Sequence, residues 1–285
     1  MANGILIVDK PAGWTSQDVV SKLRGVLHER RVGHGGTLDP MATGVLPVFF
    51  GRATRVVEFF EHAEKAYLAT LRLGTVTDTQ DTTGAVLETN PVQVSEAQLR
   101  TALEHFTGEI EQIPPMYSAI KVGGKKLYEL ARSGKEIERK PRRITVFSIE
   151  LREFDGTDAV LDIRCSKGTY VRTLCHDLGA ALGCGGCMAA LRRVQAGAYT
   201  LAQSVPLEEI INNPDPAALL LPTDSLFAAH PAATLNAEQE KRCRNGAEFS
   251  ARLGDGTWRL YGANGEFLAL AAANGGTVKT IKSFF

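Results

Sequence analysis

The amino-acid sequence predicts an α+β protein whose mixed, mainly antiparallel central sheet is flanked by helices. Strand-like and helix-like segments are interleaved, but without the regular strand–helix–strand alternation that builds a parallel sheet. Two strand-like segments, 144–154 and 159–165, are separated by the turn sequence Asp-Gly-Thr-Asp, which indicates a hairpin and therefore an antiparallel pair. The composition also changes after residue 212, which indicates a second, small β-rich unit.

Helix and strand signals are clear in the first half of the chain. Apolar residues at helical spacing follow a capping residue near position 15, and apolar residues alternate from Tyr67 to Leu73 as in a strand. Ser95 and Gln98 form the sequence signature of a capping box. In chain order, we predict a strand over 5–8, a helix from Thr15 or Ser16 to about His28, a helix from about Arg52, strands over 65–74 and 85–89, and a helix after Ser95.

The second half continues in the same mixed pattern. Two prolines at 114 and 115 exclude a helix from the segment around them, and Gly134 ends a short basic helix. The predicted elements are a helix over 125–134, the two hairpin strands, a helix over 169–183 and a strand over 193–201. We predict a large domain over 1–212, a Pro-rich connector over 213–225 and a small β-rich domain over 226–285.

Composition and cysteine usage limit the class of protein. Apolar residues make up 44% of the chain and charged residues 22%, as in ordinary globular proteins, and no apolar run is long enough to span a membrane. The apolar run near the N-terminus is too short for a signal peptide, so we expect a cytoplasmic protein without a membrane partner. Cys184 and Cys187 form a CxxC pair, but no second ligand pair follows, and we expect reduced cysteines and no metal.

The charge of the chain is zero overall but uneven along it. Residues 121–143 contain nine Lys or Arg and three Glu, a local charge of +6. Such a stripe is typical of a groove that binds a polyanion, and it is equally typical of a solvated helix face. The charge pattern by itself leaves both interpretations open.

The segment 33–44, GHGGTLDPMATG, is a Gly-rich loop with an acid at its centre. It lacks the lysine of a P-loop and the spacing of a dinucleotide-binding loop, so a phosphate cradle is disfavoured. Asp39 precedes Pro40, a common pair at the start of a helix or turn, and capping is one interpretation of the acid. The other is a reactive carboxylate on a backbone that a flat substrate can approach closely. The loop sequence by itself favours the interpretation of Asp39 as a capping residue.

The loop and four further motifs resemble one known family, the bacterial tRNA pseudouridine-55 synthases, or TruB family. The motifs occur in the family's order and together cover about residues 4 to 210. Residues 226–285 resemble more loosely the small PUA-type RNA-binding domain of such enzymes. Besides the Gly-rich loop, the matching segments are ILIVDKPAGWTS, KAYLATLRLGTVTDTQDTTG, IEQIPPMYSAIKVGGKKLYELARSG, and CSKGTYVRTLCHDLG with the later LRR.

The resemblance implies a pseudouridine synthase fold and an isomerase activity. The family moves the glycosidic bond of a uridine in the T arm of tRNA from N1 to C5 of the base. It does so without a cofactor or a metal, and without a guide RNA or a protein partner. The target base has to leave its stack to be reached, so base flipping is implied as well. By the same resemblance we expect a monomer.

The resemblance also assigns roles to single residues. Asp39 matches the essential aspartate, which attacks C1′ or C6 or deprotonates the sugar, and the sequence does not choose among these routes. Arg172 matches the arginine that pairs with this aspartate. Tyr67 matches the tyrosine that stacks on the flipped uracil and assists proton removal at C5. His34 matches a histidine that fills the space left by the base.

Weaker assignments concern RNA contacts. Asp81 is expected to bind the uracil edge, Tyr170 to order the site, and Lys10 to lie where the N-terminal turn approaches the RNA. The resemblance also implies that basic residues of this chain line a phosphate-binding groove. Its expected members are Lys121, Lys125, Lys126, Arg142, Arg143, Arg192 and Arg193.

Two other functions remain open from the residues alone. One is an RNA-binding and RNA-folding module without catalysis, although Asp39, Tyr67 and Arg172 are all present. The other is a glycosidase-like hydrolase, which lacks an evident second catalytic acid.

Overall fold

The computed structural model describes residues 2–60 and 63–285 of the chain. Its α-helices are α1 (Ser16–Val26), α2 (Val57–Phe60), α3 (Glu96–His105), α4 (Leu127–Arg132), α5 (Val171–Ala181), α6 (Leu207–Asn212) and α7 (Ala237–Arg244). Its strands are β1 (Gly4–Lys10), β2 (Val32–His34), β3 (Thr43–Phe50), β4 (Lys65–Leu73), β5 (Thr75–Thr77), β6 (Val86–Thr89), β7 (Gly108–Gln112), β8 (Lys121–Val122), β9 (Lys125–Lys126), β10 (Arg142–Phe154), β11 (Asp158–Cys165), β12 (Gly186–Ala196), β13 (Tyr199–Thr200), β14 (Val205–Pro206), β15 (Ala232–Thr234), β16 (Phe249–Ser250), β17 (Gly256–Tyr261), β18 (Phe267–Asn274) and β19 (Thr277–Ser283).

A large mixed sheet forms the centre of the molecule. Its strand order is β14-β1-β3-β12-β4-β11-β10-β7, with β2 beside β3 and β13 beside β12. The pairs β1–β14 and β3–β12 are parallel, and the other pairs are antiparallel. This confirms the predicted mixed, mainly antiparallel sheet, including the hairpin of β10 and β11.

Local sequence signals explain several elements directly. Thr15 caps α1 through the backbone N–H of Asp18, whose side chain caps back, and Ser95 caps α3 in the same way. Along β4, the odd residues Tyr67 to Leu73 are buried while Leu68 is exposed, as the alternation predicts. These helix starts and this strand are confirmed.

Other elements differ from the prediction. The helix expected near Arg52 is a 3-10 turn over Gly51–Val56 that continues into the short α2. β12 begins at Gly186, seven residues before the predicted start at 193. The first three residues of β12, 186–188, are all buried, so this part of the strand shows no alternation to recognise.

The sheet has apolar cores on both faces. One core collects helix residues such as Leu23, Leu103 and Leu178 against Leu71 and other strand residues. The opposite core begins with alternate residues of β1 and β3, and Phe227, Leu270 and Phe284 from beyond the sheet also belong to it. The C-terminal region therefore packs on the central sheet.

The C-terminal region contains a second sheet with the strand order β15-β17-β18-β19-β16. It has its own small apolar core, which includes Leu260 and Leu268. The predicted connector, 213–225, is not a free linker, because Leu221 exchanges two backbone hydrogen bonds with Ile5 at 2.9 and 2.7 Å. The small β-rich unit is confirmed, whereas the boundaries at 212 and 226 stay a prediction.

Candidate active site

The Gly-rich loop over 33–44 connects β2 to β3 and is held in place by hydrogen bonds. The Leu38 backbone N–H donates to Ser16 Oγ at 2.8 Å, which joins the loop to the start of α1. The Ala42 backbone N–H donates to Asp39 O at 3.0 Å and closes a turn. Asp39 therefore stands on a fixed turn, and its side chain remains 32% exposed.

Arg172, at the start of α5, grips the Asp39 carboxylate with two nitrogens. Its Nε lies 2.8 Å from Oδ2, and its Nη2 lies 3.2 Å from Oδ1. The guanidinium also donates to Thr79 O at 3.0 Å and to Tyr117 O at 2.8 Å. Such a bidentate pair fixes the direction of the carboxylate as well as its charge. The Asp39 side chain is nevertheless only partly buried, so a substrate can reach it.

Asp81 adds a second carboxylate to the same guanidinium. Its Oδ2 lies 3.7 Å from Arg172 Nε, and both side chains are only 6% exposed. The other oxygen, Oδ1, accepts hydrogen bonds from the hydroxyls of Thr79 and Thr83 and from the Thr83 backbone N–H at 3.0 Å. Asp81 is thus a buried acid that lies beside Arg172 Nε, the same nitrogen that contacts Asp39.

Tyr67 on β4 and Arg193 on β12 lie beside the Gly-rich loop. Tyr67 is 7% exposed, and burial raises the pKa of its hydroxyl, which keeps it a neutral phenol near neutral pH. Arg193 is fully buried, and its Nε donates to Val45 O at 2.7 Å and its Nη2 to Gly36 O at 3.1 Å. These acceptors lie near the two ends of the loop, so Arg193 ties the loop ends together.

His34 and Tyr170 complete the surroundings of the loop. Desolvation lowers the pKa of His34, and its buried Nδ1 finds no hydrogen-bond partner among residues 2–60 and 63–285. The imidazole is therefore neutral at physiological pH. The backbone of Tyr170 exchanges hydrogen bonds of 3.1 and 2.8 Å with the Gln112 side chain, which fixes the start of α5 and hence Arg172.

Basic side chains form two groups that differ in exposure. Lys10 is fully buried, and its ammonium donates to the carbonyls of Pro11, Trp14 and Pro40. Arg192, in contrast, is 39% exposed and pairs with Asp9 at 2.7 Å beside a groove of about 540 Å³. Among the described residues of the basic stripe, the exposed side chains are Lys121, Lys125, Lys135, Lys140, Arg142 and Arg143, whereas Lys126 is half-buried.

The described residues contain neither a metal-ligand cluster nor a helix that could cross a membrane. Within residues 2–60 and 63–285, no cluster of three His, Cys, Asp or Glu side chains could hold a metal. The five cysteines, Cys184 and Cys187 among them, are buried and unbridged. No helix in the same ranges has the length and apolar character needed to cross a bilayer.

Two sequence families match this chain in succession. Residues 24–171 match the TruB family pseudouridylate synthase N-terminal domain, and residues 172–228 match the tRNA pseudouridylate synthase B C-terminal domain. The chain belongs to the TruB family of pseudouridylate synthases. The site around Asp39 and Arg172 unites residues from both matched segments.

Similar proteins carry a consistent name. The tRNA pseudouridine synthase B of Ralstonia nicotianae is 44% identical over 97% of this chain and 92% of its own. The protein of the same name from Clostridium kluyveri is 41% identical over 99% of both chains.

Solved structures match over the whole fold. A chain in a Cbf5-Nop10-Gar1 complex superimposes with a TM-score of 0.74 at 27% identity, over all of this chain and 85% of its own. A chain in an H/ACA RNP bound to a substrate RNA containing 2′-deoxyuridine gives 0.73 at 25% identity, over 99% and 85%. The expected pseudouridine synthase fold is confirmed.

Two of the residues expected to contact RNA in this TruB-family chain have buried side chains. Arg193 does not line a phosphate groove, because its guanidinium is completely buried behind the Gly-rich loop. Lys10 does not present its charge to RNA either, since its ammonium is turned inward onto three carbonyls. Both residues hold the loop and the turn in place.

Sequence reasoning missed the residues that position Arg172. Thr79 and Thr83 lie between the predicted strands over 65–74 and 85–89, and Tyr117 follows two prolines. The signal for the threonines was present, because Ser, Thr and Asp at short spacing often close side-chain turns. The contact with Tyr117 is made through its backbone carbonyl, and no side-chain pattern reports it.

Proposed function

We propose that this protein converts uridine 55 in the T arm of tRNA to pseudouridine. The observation that carries the proposal is the partly exposed Asp39 carboxylate, both of whose oxygens are contacted by a buried arginine. An ionised carboxylate fixed in this way is suited to covalent or acid–base work at a sugar or a base. Family membership and the names of the relatives support a pseudouridine-forming reaction on tRNA.

The roles of the site residues follow from their positions. Asp39 starts the cleavage of the N1–C1′ bond of the flipped uridine. Arg172 directs Asp39, since its guanidinium contacts both carboxylate oxygens. Tyr67 stacks on the base, and His34, being neutral and half-buried, serves shape and not charge. Uridine and pseudouridine contain the same atoms, so the reaction consumes no second substrate, and we propose that it uses no cofactor.

The exposed part of the basic stripe is the proposed tRNA-binding surface. Lys121, Lys125, Arg142 and Arg143 are exposed and belong to the β8–β9 hairpin and the start of β10. Phosphate contacts of this kind position an RNA, and the shape of the T arm supplies selectivity. Each copy of the chain carries all of the named residues, so we propose that a monomer acts without a guide RNA or a partner protein.

The direct test is incubation of the purified protein with unmodified tRNA and with an isolated T-arm hairpin. We expect pseudouridine at position 55 of both RNAs and none in a tRNA that carries another base there. Asp39→Asn keeps the shape of the side chain and should abolish product, while the Kd for tRNA changes by less than about threefold. Product at another position, or turnover by Asp39→Asn, would refute the proposal. Tight binding without product in the wild type would favour the non-catalytic RNA-binding module.

A further inference from the structure

Arg193 is a buried cation whose partners, among the residues that the structure describes, include no carboxylate. Its hydrogen bonds go to the carbonyls of Val45 and Gly36, and its charge interacts with the hydroxyl of Tyr67. Desolvation lowers the pKa of Arg193, but a guanidinium stays protonated in a protein. Taking an unpaired charge out of water costs free energy, and carbonyl dipoles offset that cost only in part. The fold therefore retains a destabilising positive charge at this point of the site.

The sheet register places this charge directly beside Tyr67. The two residues are partners in the antiparallel β4–β12 ladder, so their side chains stand on the same face of the sheet. On its other side, Arg193 is the partner of Gly44, the last residue of the Gly-rich loop. One guanidinium thus connects the strand that carries Tyr67 with the loop that carries Asp39.

Arg193 is the main positive charge that acts on the Tyr67 hydroxyl. The Cys165 thiol faces Tyr67 from β11, and burial raises its pKa to about 11, so it is neutral near pH 7. Asp39 acts on Tyr67 from the Gly-rich loop, and its negative charge opposes ionisation of the Tyr67 phenol. Lys65, two residues away on β4, donates its ammonium to Ala63 O at 2.9 Å. Arg193 opposes the effects of burial and of Asp39, which both raise the pKa of the Tyr67 hydroxyl.

The proposed reaction needs a proton acceptor at this place. Once C1′ is bonded to C5, the C5–H bond has to break, and its electron pair stays in the ring as the C5–C6 double bond. The proton passes to an acceptor, and N1, which has lost the sugar, takes up a proton. A tyrosine oxygen accepts a proton only when it carries negative charge, and a buried phenol resists this charge unless a cation is close.

We propose that Arg193 is a positioning residue for Tyr67: it orients the Tyr67 hydroxyl at the flipped base, and it stabilises the phenolate that forms when the hydroxyl proton leaves through solvent for N1. The phenolate then takes the C5 proton and becomes a phenol again. The inference rests on the proposed function, because it gives Arg193 a task within that reaction. It also explains why a charge that was expected on an RNA-binding surface is instead buried beside the strand of Tyr67.

The test measures the ionisation of Tyr67 in the free enzyme by ¹⁹F NMR. The protein is made with 3-fluorotyrosine at its six tyrosines, and Tyr67→Phe identifies the resonance of Tyr67. Arg193→Gln and Arg193→Met remove the charge at similar side-chain length, and Arg193→Lys keeps it. Thermal unfolding and the Kd for tRNA establish that each variant is folded.

The expected results distinguish an effect of the Arg193 charge on Tyr67 from a purely structural role of Arg193. In the neutral variants, Tyr67 should ionise at a pH at least about one unit higher than in the wild type, and in Arg193→Lys within about half a unit. The single-turnover rate of pseudouridine formation should fall at least about tenfold in the neutral variants and less in Arg193→Lys, with Kd within about threefold. An unchanged ionisation of Tyr67 in the neutral variants would overturn the proposal.

Further outcomes remain decisive if the neutral variants do not fold. Arg193→Lys then carries the test, because a Tyr67 ionisation raised by about one unit despite the retained charge would overturn the proposal. Failure of the wild type to form pseudouridine would reject the proposed function instead. The ¹⁹F titration uses no RNA, so the two failures are distinguishable.

Discussion

Arg172 and Asp39 are separated by 133 residues, yet two nitrogens of the Arg172 guanidinium lie 2.8 and 3.2 Å from the two Asp39 oxygens. The arginine is buried and the aspartate is half-exposed, so the pair has one fixed member and one accessible member. Thr79 O, Tyr117 O and Asp81 surround the rest of the guanidinium. The geometry of Asp39 therefore depends on segments from four parts of the chain.

Replacing Arg172 with lysine keeps the charge but removes the planar fork. A lysine cannot contact both Asp39 oxygens and two carbonyls together, so we expect pseudouridine formation to fall at least about 100-fold. The Kd for tRNA should change by less than about threefold. Single-turnover assays measure the rate. Arg164→Lys, at an exposed pair with Glu64, is the control and should keep the wild-type rate. Wild-type turnover by Arg172→Lys would contradict the assigned role.

Gly44 is needed because β3 approaches β12 at this point. A Cβ at Gly44 would lie less than 3.0 Å from the backbone of Arg193, whereas a Cβ at Gly108 would meet nothing within 4 Å. Both glycines have φ of +99°, so the two alanine variants share the backbone strain. Gly108→Ala should cost about 1 kcal/mol, and Gly44→Ala at least about 2 kcal/mol more, in urea unfolding. Equal losses would mean that the close approach is unimportant.

Lys10 makes stability depend on pH in the alkaline range. Burial lowers the pKa of Lys10 to about 8, from 10.5 for an ordinary lysine. Between these values the unfolded chain holds a proton that the native protein has released, so the free energy of unfolding rises with pH. The wild type should gain up to about 3 kcal/mol relative to Lys10→Met from pH 8 to 10.5. Urea unfolding at several pH values measures this, with Lys22→Met as the control for loss of a surface charge. A constant difference would contradict the prediction.

Phe227 joins the C-terminal region to the central sheet. Its ring is 4% exposed and lies 5.3 Å from the ring of Phe59 and 5.9 Å from that of Phe284, centre to centre. Phe227→Ala should lower the free energy of unfolding by about 3–5 kcal/mol because it leaves a cavity. Phe147→Ala, at a ring that is 46% exposed, should cost less than about 1 kcal/mol. A loss below that of Phe147→Ala would show that the junction adds little stability.

The exposed basic residues should make tRNA binding depend on salt. Replacing Lys121 and Lys125 with glutamine removes two charges from the hairpin of β8 and β9. If both contact phosphates, the slope of log K against log salt should become less steep by about 1.4–1.8. Filter binding at several salt concentrations measures the slope. Lys22→Gln, at an exposed lysine outside the stripe, should leave it unchanged, and an unchanged slope in the double variant would exclude the hairpin from the interface.

The sequence by itself determined the features that depend on neighbouring residues. The capping boxes at Thr15 and Ser95 and the alternation along β4 each report on a few consecutive residues, and the structure contains them. The motif pattern also identified the family, and with it the fold. Asp39 stood out as the acid of a Gly-rich loop because composition is visible without coordinates.

Only the tertiary structure decided where the charges of the site lie. The burial of Lys10 and Arg193 follows from the order of β1, β3, β12 and β4 in the sheet, and strand order depends on contacts between distant segments. The same contacts bring Arg172 to Asp39 and Arg193 to Tyr67. A basic side chain has the same letter whether it meets solvent or a buried carbonyl. Which environment it meets depends on the free energy of packing the whole sheet, and no local pattern encodes that.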